Sequence, residues 1–548
     1  MEGTDPPGQA VPRRRARAGR QRAGDHRPAR PATRLQVTSR GIGFAGLCAI
    51  GLSTGCFLVT AVLGPSAVQP TLPGHGPPFS LTAHPSPYLV IGLVAGGVLL
   101  AGLGLGLCLY AAGRGWRPAP RPLLLAGLLA TAAFALLPPV GSADHLNYAA
   151  YGRMVVTGHD PYTTGAADLP DDPVARAVQE WRSTPSVYGP IATGQQAIAS
   201  WFGGESVRLT VFGLSVTGAL AFALVGLILY RYGDPVRSVL FWTLNPLMLF
   251  HLVSGAHNDT LAIAVAVAAI AVFTGAGPGG RSTEPRPIDR GGVVPPAGRL
   301  LATGALVGAG VALKLPAALV GGGPAWALLR GRPWQQARSQ RSFRPLLPAA
   351  ALFGAAATVV AVAYCIVGWQ AFDQVRRASN SVSLATPWHL VDVALGKGTN
   401  RPVVQAGALL LLAGLVVLLA RALPVEPGQE HRRVAAALVL AWLFAAPYAL
   451  PWYDGLGWAV LALLPWSRFD RLLLARTVAL SLAYLPARAP DLIDLPAGLS
   501  WLFTVVRPVI VPWTLTAVLV LLVVWARRSA RPVPVPGSKP PVRAGSRG

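Results

Sequence analysis

Residues Gly141–Tyr162 read GSADHLNYAAYGRMVVTGHDPY, and the same polar stretch closes at Trp181–Pro190 with WRSTPSVYGP. It is the longest polar interruption in an apolar chain. It holds Asp144, Asp160, Asp168, Asp171, Asp172 and Glu180, out of only 22 Asp plus Glu in 548 residues. Scarce carboxylates gathered in one loop, where an apolar run ends, point to chemistry there, because loops carry both charge and function.

Outward from this loop the chain is a series of apolar runs. It is 52% hydrophobic and 13% charged, against roughly 25% charged in soluble domains. Many runs approach the roughly 20 residues that cross a bilayer as a helix. They are continuous and rich in Leu, Ala and Val rather than alternating, so they spell helices and not a barrel. The fold class is therefore an all-α, polytopic helical bundle. Runs are expected at about 41–63, 88–112, 122–139, 207–230, 238–252, 259–274, 345–367, 402–422, 434–450, 455–466, 474–486 and 508–526. The stretch LLATGALVGAGVALKLPAALVGGGPAWALLR should go up and back as two short helices, with Lys314 and Pro316 at the turn, since proline stops a helix. That makes about fourteen crossings, with twelve to fourteen compatible with the shorter runs.

The net charge of +25 does not signal nucleic acid. Arginines gather at the termini and in alternate loops, as the positive-inside rule requires. Both termini are expected in the cytoplasm and the 140–206 loop on the outer face, within a transmembrane domain of 41–526. Residues 1–40, with ten Arg, read as a disordered basic arm against anionic lipid. Residues 527–548 read as a disordered basic tail. Cys48, Cys56, Cys108 and Cys365 lie in apolar runs without metal or disulfide spacing.

Several constellations could carry chemistry. If DHLNYAAYGRMV is helical, Asp144, Tyr148 and Tyr151 share a face with Asn147 alongside. A carboxylate there can take a proton from a hydroxyl; it could equally be an N-cap. Arg153 falls half a turn away. HDPY, with Asp160 and Tyr162, and PSVYGP, with Tyr188, are turns that offer aromatic faces. Residues Leu244–Asp259, LNPLMLFHLVSGAHND, put His251 and Asn258 on one helical face, with His257 and Asp259 close by; such groups at the rim of a crossing imply a cavity or partner. Lys314 is the only Lys within an apolar run and suits a phosphate as a point charge. Arg376 and Arg377, in the loop 368–401, could add to it. No Walker loop, dinucleotide fingerprint or D-x-D motif is present.

The motifs SADHLNYAAYGRMVVTGHDPY, WRSTPSVYGP, LNPLMLFHLVSGAHND and the K-x-P at Lys314–Pro316 together resemble the polyprenol-phosphomannose-dependent α-1,6-mannosyltransferases of actinobacteria. These belong to the C superfamily of membrane glycosyltransferases. The resemblance covers about residues 120–460. It implies a C-type glycosyltransferase fold with short helices in the first large outer loop. It also implies a polyprenyl phosphomannose donor, a mannan or lipomannan acceptor, and Asp144 as catalytic base. Lys314 would be the contact to the donor phosphate, with Arg376 and Arg377 as further candidates. Asn147, Tyr148, Tyr151, Arg153, Asp160, Tyr162, Tyr188, His257, Asn258 and Asp259 are the candidate substrate-binding residues. One departure is His145, where an apolar residue is expected; it would add a titratable group beside the base. No cofactor is required, and a divalent cation between carboxylates and phosphate stays open. The rival readings are a lipid or sugar transporter or flippase, and a transferase using another polyprenyl-phosphate sugar such as arabinose.

Overall fold

The computed structural model describes residues 32–275, 294–331, 333–372 and 380–530. Among these residues no strand forms; a lone bridge joins Ser66 and Gln69. Among the described residues seven helices are long and apolar enough to cross a membrane: Thr38–Leu63, Pro87–Gly113, Val207–Tyr232, Pro235–Ser254, Arg344–Val367, Arg401–Ala422 and Ala497–Ser529. Three shorter apolar helices, Pro120–Ala135, Asp259–Thr274 and Ala297–Leu313, pack among them. The molecule is a polytopic helical membrane protein.

Seven of the expected runs thus form helices of membrane-spanning length among the described residues. Others are shorter: the run expected at about 455–466 forms the helix Asp454–Ala462, whose nine residues rise only about 14 Å at 1.5 Å per residue, less than a bilayer core. The ends differ too. Beyond Pro31 the sequence meets no Pro or Gly until Gly41, and the first helix starts at Ala32, inside the stretch read as an arm. The rest of that arm and the tail from 531 lie outside the described residues.

Pro235–Ser254 is the inner post of the bundle. Of its most apolar window 94% is buried, against 11% for Arg344–Val367, whose apolar sides face outward. It is no straight helix. Asn245 caps a new start by accepting from Leu247 N at 3.1 Å, with Pro246 next, and π-helical turns cover Val239–Thr243 and Leu249–Ser254. Proline denies a backbone donor, and π turns absorb the mismatch. His251 and Asn258 therefore do not share a helical face: His251 Nε2 lies 2.7 Å from Ser481 Oγ instead.

The up-and-back pair is present. Ala297–Leu313 ends at Lys314, a 3-10 turn covers Leu315–Gly321, and Gly322–Leu329 returns. The acidic loop is itself built from short helices, Asp144–Val156, Pro173–Arg176 and Pro190–Gly203. Gly152 lets the first lie against the last; a Cβ there would stand 2.1 Å from Gln196 O.

Candidate active site

Asp144 opens the helix Asp144–Val156, whose acidic first turn and basic last turn suit the helix dipole. It is not the N-cap. That position is Ala143, with no side-chain cap, so the carboxylate is not spent on the backbone. Its side chain is 20% exposed, and Oδ2 lies 3.7 Å from His257 Nδ1. The same nitrogen lies 3.3 Å from Tyr148 Oη, and Tyr188 donates its hydroxyl to Tyr148 at 3.3 Å. The two tyrosine rings meet edge to face, 5.1 Å apart.

His257 reaches this position because the chain turns sharply before it. Ala256 takes a left-handed φ of 50°, a costly choice for a residue with a Cβ and one often found at functional sites. The imidazole stacks on Trp452 at 3.7 Å. Asp259 begins the next helix and accepts from Lys314 Nζ with both oxygens, at 2.7 and 2.8 Å. That ammonium also sits 4.3 Å from the Tyr453 ring and 6.0 Å from that of Tyr188. The pair borders a small cavity lined also by Pro316, Trp442 and Tyr453. The turn PSVYGP is held against the end of the Lys314 helix by Gly189 N donating to Leu313 O at 3.3 Å.

Burial pushes the Asp144 carboxyl up to about 6; the Lys314 charge pulls it down, and the Glu180 charge adds to the rise. The carboxylate and the amine therefore share one field. Burial presses His145 down to about 3, with help from Arg488. It is fully buried and stays neutral, so the departure from the expected apolar residue adds no titrating group near neutrality.

The structure thus gathers Asp144, Tyr148, Tyr188, His257, Asp259 and Lys314 from four separate segments. Asn258 is 8% exposed, with both side-chain polar atoms buried and without partners. Other candidates hold the loop together. Asn147 donates to Glu180 O at 3.1 Å and Tyr151 to Thr184 O at 2.8 Å. Arg153 pairs with Asp172 at 2.7 Å and Glu205 at 3.7 Å. Asp160 accepts from Tyr162 N at 2.9 Å, and the Tyr162 hydroxyl meets Thr193 Oγ1 at 2.9 Å. Arg376 and Arg377 lie outside the described residues. Trp452 and Tyr453 were not singled out from sequence. Their signal is the aromatic run PYALPWYD before Asp454. Among the described residues no group of three His, Cys, Asp or Glu is arranged to hold a metal ion.

Fold and site define a multi-pass membrane protein with a carboxylate and an amine set among aromatic rings where its helices end. A family model described as alpha-(1->6)-mannopyranosyltransferase, N-terminal domain, matches residues 45–330. The chain belongs to this alpha-(1->6)-mannopyranosyltransferase family. It is 28% identical over 358 residues to alpha-(1->6)-mannopyranosyltransferase A of Mycobacterium tuberculosis, covering 60% of this chain and 63% of that one. It is 28% identical over 130 residues to the A enzyme of Corynebacterium glutamicum, covering 23% and 26%. With the B enzyme of that organism it shares 30% over 134 residues, covering 23% and 22%. The matches thus span from about a quarter to somewhat under two thirds of these curated relatives. No solved structure matches the chain.

Proposed function

We propose that the chain is a membrane mannosyltransferase. It moves mannose from polyprenyl phosphomannose to a mannan or lipomannan acceptor on the outer face, forming α-1,6 linkages with inversion. Family membership supports the sugar and the class of reaction. The observation that carries the mechanism is a partly exposed Asp144, raised by burial to about 6, in the field of a Lys314 set at a helix end.

In this reading the acceptor 6-hydroxyl attacks the mannose anomeric carbon. Its proton passes to Asp144, and the bond from that carbon to the donor phosphate oxygen breaks. The polyprenyl phosphate leaves as an anion, so it needs positive charge more than a proton. A carboxyl near 6 is ionised at neutrality yet basic enough to accept. One base and one anion contact describe a single in-line displacement, so a β-linked donor gives an α-linkage. The proposal calls on no cofactor.

Lys314 brings a complication that sequence did not show: Asp259 already holds two of its three donor directions. The donor phosphate would take the third and compete for the others, while Asp259 keeps the ammonium oriented towards Tyr453 and Tyr188. His257, whose Nδ1 lies near both Asp144 Oδ2 and Tyr148 Oη, would with Tyr148 fix the side on which the acceptor hydroxyl meets Asp144. Membranes carrying the wild type or Asp144→Asn are offered synthetic polyprenyl phosphomannose and a short α-1,6-mannoside. Transfer by the wild type alone, at equal protein level, supports the reading. Transfer by both removes Asp144 as base. No transfer by either, beside an active relative, moves the arabinosyl and transporter readings forward.

A further inference from the structure

A second space of about 570 Å³ opens beside this site. Three loops far apart in sequence wall it, bringing Gln69 and His84, then Arg176, Gln179 and Arg182, then Arg488 together. None of the described residues lining it is acidic. Arg488 is only 8% exposed. It donates to Ser66 O at 3.1 Å and to Gln179 Oε1, while its Nε is buried without a partner. Gln69 is 1% exposed with Oε1 also unpartnered. Arg176 and Arg182 are exposed, and neither makes an ion pair with a described residue.

Three guanidinium groups around one cleft repel each other, and burial of Arg488 strips away the water that would screen it. An anion in the cleft relieves both costs. The planar fork of Arg matches phosphate oxygens two at a time. The cleft is also tied to the start of the Asp144 helix. Gly141 N donates to Val68 O at 2.7 Å, Asn147 to Glu180 O at 3.1 Å, and Ala489 N to Glu180 Oε1 at 2.9 Å. A ligand here would rest on the struts that hold the catalytic loop, without touching Lys314.

We propose that this cleft is a binding site for a phosphate-bearing ligand, separate from the donor phosphate contact at Lys314. The phosphate can come from an anionic lipid headgroup or from a soluble phosphate ester. The proposal does not depend on the transfer reaction. The test is calorimetry on the full chain in neutral detergent, titrated with inorganic phosphate and with dihexanoyl glycerophosphate, and with dihexanoylglycerol as the uncharged control. Saturable binding of a phosphate probe at a site retained in Asp144→Asn and in Lys314→Ala is expected, over and above any contribution of the Lys314 contact. Arg176→Ala with Arg182→Ala should weaken it at least tenfold, and Arg176→Lys with Arg182→Lys should keep part of it. Tighter binding of the glycerophosphate than of inorganic phosphate marks a lipid headgroup; equal binding marks a soluble ester. The proposal is overturned by binding of neither probe, by binding unchanged in the double Ala variant, or by loss on Lys314→Ala.

Discussion

Asp144 joins sequence to mechanism most directly. As the proposed base it would work ionised, and burial raises its carboxyl to about 6. The transfer rate should therefore rise with pH through about 6 and level off above it, as read from initial rates in buffered membranes. Asp144→Asn should cost about 10²–10⁴ in rate, the usual span for a general base, and abolish that limb. Survival of the limb in the mutant would assign it to another group. Lys314 tests a different point, since its partner Asp259 is 8% exposed in its side chain. Lys314→Met should destabilise the protein by roughly 2 kcal/mol, less than the about 3–5 kcal/mol of a fully buried broken pair. Adding Asp259→Asn should restore the thermal midpoint but not transfer. Recovery of both would make the pair structural only. Residue type, loop position and the family motifs make Asn147, Arg153, Asp160 and Tyr162 candidates, and the structure spends their side chains on other parts of the loop. Nothing in sequence distinguishes a polar side chain that faces a cavity from one that ties two turns together.

Among the elements, the turn PSVYGP and the broken helix Pro235–Ser254 do the positioning. A Cβ on Gly189 would stand 2.2 Å from Ala312 O, closer than any relaxed contact. Gly189→Ala should cost about 1–3 kcal/mol through overpacking and push Tyr188 away from Tyr148. Transfer should then fall more than the melting temperature does; a stability loss with full activity would show that the Tyr188 contact is dispensable. In the broken helix, Asn245→Ala removes the cap on Leu247 N and should cost about 1 kcal/mol, measured by thermal unfolding in detergent. Pro246 bars a continuous helix here, yet no sequence period announces the π turns on either side of it.

At the scale of the molecule, the side of the membrane that the site faces can be tested directly. The Arg distribution implies the outer face. With the four native cysteines replaced, Asp171→Cys in intact cells should react with a membrane-impermeant maleimide. Arg114→Cys should react only after permeabilisation. The reverse pattern would place the site, and the proposed lipid-linked donor, on the cytoplasmic side. Arg237 and Asp470, 0% and 2% exposed in their side chains and joined at 2.6 Å, clamp the inner post to a helix over two hundred residues later. Their pairing, like that of Lys314 with Asp259, is invisible until the bundle forms.

The sequence by itself determined the helical membrane class, the short helix carrying Asp144, the up-and-back turn at Lys314 and the family motifs. Each of these depends on local composition or spacing, which hydrocarbon and the helix period read directly. Only the tertiary structure decided that Asp144 escapes capping, that His145 stays neutral, that Lys314 is held by Asp259, and that Trp452 and Tyr453 complete the site. These depend on burial and on contacts between segments as much as three hundred residues apart, about whose distances a linear pattern carries no information. Whether a short apolar run spans a bilayer or hides within a bundle depends in the same way on its neighbours.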